Sequence, residues 1–153
     1  MTSLSFATVG LIALQGLFLF LDEILFHQKR EVGFWESLGH PLDSLGFALP
    51  LLIAGFGDFA QPAAFTGYVA LSAVSTLLVT KDEWIHSRKC VGTEHWFHAM
   101  LFILHPTILF CVGILWQRGE APVLRQALPL VVFSFTFYQL YLARRVHHNA
   151  AQY

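Results

Sequence analysis

"DEILFHQKREVGFWESLGH" runs from Asp22 to His40, and "DEWIHSRKCVGTEHWFH" runs from Asp82 to His98. Both stretches carry Asp-Glu, a histidine, two basic residues, a glycine, a glutamate and a closing histidine in that order, and two single-residue gaps align them. Self-similarity of this kind within one chain indicates a duplicated helix hairpin, here 4–57 and 62–116.

The sequence on either side is apolar. Of the 153 residues 56% are hydrophobic and 12% charged, against ~45–50% and ~25% in a soluble domain, and the mean hydropathy is +0.58. The expected class is therefore all-α integral membrane. A single membrane domain over 1–153 has five candidate spans, 4–25, 37–57, 62–81, 95–116 and 123–143, with a tail from 144 to 153. Each is near the ~20 residues that cross a bilayer core. The second span reaches back through His40 toward Glu36, because Asp43 and Asp58 enclose too few uncharged residues to cross. The run from Leu4 to Leu21 lacks a basic leader and a cleavage site, and is read as a retained span.

Gly55 to Pro62 contains a helix stop and a proline start, which predicts a tight antiparallel pair of the second and third spans. Gly33 and Gly92 break the two charged connections, and "QRGEAP" joins spans four and five. Lys29, Arg30, Lys81, Arg88, Lys89, Arg144 and Arg145 fall on one side, leaving Arg118 and Arg125 on the other. The positive-inside rule then puts the charged phrases and the C-terminus in the cytoplasm and the N-terminus outside.

Each phrase leaves one helix and enters the next. Glu23 and His27 end span one, Glu36 and His40 begin span two, Glu83 and His86 end span three, and Glu94 and His98 begin span four. Spacings of three or four residues put each Glu and its His on one helix face. Four carboxylates crowded into a partly dehydrated bundle repel one another unless cations lie between them. Two divalent ions match four glutamates, with imidazoles completing the coordination. Oxygen and imidazole donors without thiolate favour iron, with manganese or zinc as alternatives. Asp22, Asp82 and Asp43 are expected to orient these ligands, Asp22 and Asp82 by accepting an imidazole N–H or by pairing with Arg30 and Arg88.

This pattern resembles the di-iron carboxylate proteins of the ferritin-like kind, in which two helices give a Glu each and two give Glu-x-x-His. Glu83-x-x-His86 has that spacing, while the other three pairs are one residue longer. A looser similarity, at Glu94-His95-x-x-His98, is to the histidine-box membrane hydroxylases and desaturases. The resemblance implies a membrane oxidoreductase that uses dioxygen and an electron-donor protein to oxidise an apolar, lipid-like substrate from the bilayer. A zinc-dependent lipid hydrolase, and a non-catalytic metal carrier or accessory subunit, are the other readings.

His105, about ten residues into span four, is an intramembrane candidate for function. Gln139, Tyr138 and Tyr141 are placed near a substrate entrance. His95 is expected to be interfacial, His147 and His148 to lie in a solvated tail, and Cys90 and Cys111 to be too far apart to pair. The nine Lys and Arg form no extended basic face, which excludes nucleic acid as a partner. No Gly-rich phosphate loop or nucleophile elbow occurs.

Overall fold

The connection from Gly57 to Gln61 follows from its residues. In the computed structural model, Gly57 N–H donates to Ile53 O (2.7 Å), Asp58 Oδ1 accepts from the Ala60 N–H (3.0 Å), and Gln61 O accepts from Ala64 N (3.0 Å). One helix is thus closed and the next opened at Pro62, where a missing N–H costs nothing. The structure describes residues 2–25, 34–86 and 92–150, apart from the side chains at 23–24, 34–37, 81–86, 94, 142–143 and 145–150.

Five helices follow one another, α1 (Ser3–Leu25), α2 (Phe34–Phe56), α3 (Pro62–His86), α4 (Gly92–Gln117) and α5 (Pro122–Ala150). All five are long and apolar enough to cross a membrane, in windows from Ser3–Asp22 to Pro122–Tyr141. Large apolar side chains such as Phe6, Phe110 and Phe137 point outward, as a lipid-facing surface requires. The α4–α5 turn closes in a Schellman arrangement: Glu120 N–H donates to Leu115 O (2.9 Å) and Gly119 N–H to Trp116 O (3.0 Å), with Gly119 at φ 65°. The tail beyond 143 continues α5 as helix to Ala150, past the membrane-length window that ends at Tyr141, because Arg144 to Ala150 holds neither glycine nor proline to stop it.

The core sits between α2 and α4, where Leu51, Ala54, Ile108 and Val112 are almost fully buried. Two glycines allow close packing. A Cβ on Gly55 would lie 2.8 Å from the Arg125 carbonyl of α5, and one on Gly113 would lie 3.1 Å from the Tyr68 ring of α3. Pro129 cannot donate to the Arg125 carbonyl, so that oxygen is free of its usual helical partner where Gly55 approaches it. Arg125 then donates through its guanidinium to Ala54 O and to Glu120 O, and Trp116 Nε1 donates to Gly57 O (3.0 Å). Phe59 packs edge-on against Trp116, and the Tyr68 hydroxyl donates to Leu109 O. This end of the bundle, remote from the charged phrases, is therefore closed.

The other end is looser. Within 8 Å between Cα atoms, α1 approaches α4 and none of the other helices among the described residues. α2 packs on α3, α4 and α5, and α4 also packs on α3. The two motif-bearing pairs are thus unlike: α3 lies against α4, whereas α1 stands away from α2. Twenty-odd residues of apolar helix held by one neighbour leave an open flank beside α1.

Candidate functional site

That flank contains a cavity of about 380 Å³. Among the described residues α1, α2, α4 and α5 supply most of its lining and α3 contributes Val79. At the end nearest the charged phrases it is lined by Asp22, His40, Asp43, Ser44, His98 and Gln139. Its inner end meets Ile12, Leu51, Ile108 and Leu128. A concave, largely apolar space with a few converging polar groups is the usual form of a small-molecule site.

The polar end is built by register. His98 Nε2 lies 3.5 Å from Asp22 Oδ1, and both side chains are buried. This contact sets the last turn of α1 level with the start of α4. Phe18 reinforces it by meeting Phe97 edge-on at 5.2 Å and Trp96 at 5.7 Å. Across the cavity Ser44 donates to Gln139 Oε1 at 2.7 Å, which joins α2 to α5 at the same end.

Two turns further in stands a second polar level. Gln15 precedes Asp22 by seven residues on α1, and His105 follows His98 by seven on α4, so each lies about 10 Å deeper at ~1.5 Å per residue. His105 Nε2 is 2.8 Å from Ser75 Oγ of α3, and its ring stacks obliquely on Phe47 with centroids 4.3 Å apart. Gln15 Oε1 is buried with no hydrogen-bond partner. An amide oxygen left so costs about 1–3 kcal/mol.

Of the eight expected metal ligands, His40 and His98 line the cavity. Glu23, Glu36, Glu83, His86 and Glu94 fall on α1, α2, α3, α3 and α4, with side chains outside the described set, as is that of Asp82. His27, Arg30, Arg88 and Cys90 lie outside the described residues. Among the described residues no three His, Cys, Asp or Glu side chains are grouped as a metal site. Asp22 and Asp43, expected to orient ligands, both face the cavity. Gln139 does as well, but Tyr138 and Tyr141, expected at the entrance with it, are about half exposed and do not line the cavity. Cys111 is half-buried and unbonded.

Gln15 and Ser75 stand outside the set of residues expected from the sequence. A signal for Gln15 was present: Thr8, Gln15 and Asp22 recur every seven residues, which keeps polar side chains on one face of an otherwise apolar helix. All three are buried. No family model matches this chain, and neither does any curated protein or solved structure.

Proposed function

We propose that the protein is a membrane-embedded dinuclear metalloenzyme, with two divalent ions, iron by donor chemistry, held by Glu23, His27, Glu36, His40, Glu83, His86, Glu94 and His98. The observation that carries this reading is that His40 and His98, from separate repeats of the charged phrase, line one end of an apolar cavity together with Asp22 and Asp43. A duplicated origin for the two phrases supplies the matching Glu/His sets. When bound, a di-iron centre supplies dioxygen activation. The chain's own share is to hold the ions, to orient imidazoles through Asp22 and Asp43, and to keep water from the apolar end with Leu51, Ile108 and Leu128.

The substrate in this reading is apolar and drawn from the bilayer, and an electron-donor protein meets the cytoplasmic face that the basic residues indicate. A monooxygenation would take dioxygen, two electrons and two protons, and return water beside the hydroxylated product.

The test is metal analysis of protein purified in lipid nanodiscs. About two irons per chain are expected, with loss of at least one in both Glu36→Ala and Glu94→Ala. Two zincs would move the assignment to hydrolysis of a lipid ester or amide. A folded protein with no metal would end it in favour of a structural subunit.

A further inference from the structure

We infer that the cavity binds one neutral, hydroxyl-headed single-chain amphiphile, taken laterally from the bilayer between α1 and α5, with its head at the Asp22–His98 level and its chain ending against Leu51, Ile108 and Leu128. As the substrate class of the proposed enzyme it rests on that reading; as a binding site it rests on the cavity alone.

The route is set by the packing. α1 and α5 both line the cavity yet do not approach within 8 Å of each other among the described residues. Two lining residues, Phe20 of α1 and Val131 of α5, are 60% and 63% exposed. They mark a rim that opens sideways, toward the lipid around these helices, so a ligand dissolved in the bilayer reaches the cavity without crossing water.

The number of chains is set by volume. About 380 Å³ lies near the lower bound of ligand pockets, ~300–1,000 Å³, and suits one hydrocarbon chain, not two. Length is set by depth. From His98 to Ile108 is ten residues of α4, and from Asp22 to Ile12 ten residues of α1, each about 15 Å. Leu51 and Ile108, both nearly inaccessible, and Leu128 end the space.

The head is set by charge. Two carboxylates, Asp22 and Asp43, line the outer end, so in the metal-free protein, the form in which alcohols and alkanoates are compared, an anionic head meets like charge in a low-dielectric setting, whereas a hydroxyl donates to them. The unpartnered Gln15 Oε1 two turns deeper points the same way. It accepts a hydrogen bond from a water carried in beside the chain, and has no use in a dry, empty space.

The experiment uses the full chain in nanodiscs and tritiated 1-dodecanol, displaced by unlabelled n-alcohols and n-alkanoates. Saturable binding is expected, with affinity passing through an optimum in chain length and dodecanoate weaker by about tenfold or more. Gly16 lines the cavity and Gly10 does not, and a Cβ on either meets nothing within 4 Å. Gly16→Leu should therefore weaken binding by about tenfold or more while Gly10→Leu leaves it unchanged. Ile108→Ala should move the optimum to longer alcohols. Non-saturable uptake, or the same binding by Gly16→Leu as by Gly10→Leu, would overturn the inference. Metal analysis of the same preparation separates the two conclusions: saturable binding by protein isolated without metal keeps this site and removes the metalloenzyme, and metal without saturable binding does the reverse.

Discussion

Asp22 Oδ1 and His98 Nε2 face each other at 3.5 Å, one at the end of α1 and the other six residues into α4. α4 is the only helix that α1 approaches closely among the described residues, so this contact fixes how the loosely held helix sits against the rest. It also levels Gln15 with His105, and so produces a cavity with two polar stages.

Asp22→Asn keeps the shape and removes the charge. If the carboxylate holds the His98 ring for metal binding, the ions should be bound about 10–100-fold more weakly, a change typical of lost outer ligand support. Competitive metal titration with a chelator reads this directly. Unchanged affinity would reduce Asp22 to a packing role.

Ser75→Ala leaves a buried ring nitrogen of His105 without its partner and should cost about 1–3 kcal/mol. His105→Phe combined with Ser75→Ala should recover much of that loss, because neither group then needs a partner. Unfolding of the four proteins of this double-mutant cycle in mixed micelles gives the coupling. Strict additivity would mean that the 2.8 Å contact contributes nothing.

Gln15→Met replaces a buried amide of unsatisfied oxygen by a flexible apolar chain of similar length. In the ligand-free protein this should raise stability by about 1 kcal/mol, seen as a higher midpoint of thermal unfolding. A lower midpoint would show that Gln15 already has a partner that holds the fold.

Gly55→Ala drives a methyl into the Arg125 carbonyl, an atom of backbone that cannot swing away. Separation of α2 and α5 should cost about 1–3 kcal/mol. Gly10→Ala, with open space around it, should cost nothing and serves as the control. Equal midpoints for the two variants would contradict the close α2–α5 crossing.

Much of the architecture is carried by local chemistry. Five apolar runs of membrane length, the stop at Gly57 and start at Pro62, and the Gly119 turn are properties of short segments, and the helices fall where those segments require. The helix of α5 outlasts its membrane window, which ends at Tyr141, because polarity ends a span but not a helix, and Arg144 to Ala150 holds neither glycine nor proline. At the site, His40, His98, Asp22, Asp43 and Gln139 could be named from intramembrane polarity alone, since such groups are costly unless they face the bundle.

Periodicity shows which face of a helix is polar; it does not show which helix that face meets. The sequence therefore determined five membrane-length helices and the cluster of charge at one end of them. Tertiary packing alone decided that, among the described residues, α1 leans on α4 and stands clear of α2 and α5, because Gly55 and Gly113 draw α2, α3, α4 and α5 together at the far end while no such close approach of the described residues holds α1. The cavity beside α1 follows from that asymmetry, and the pairing of His105 with Ser75 from the α3–α4 packing; both depend on contacts between residues far apart in the chain.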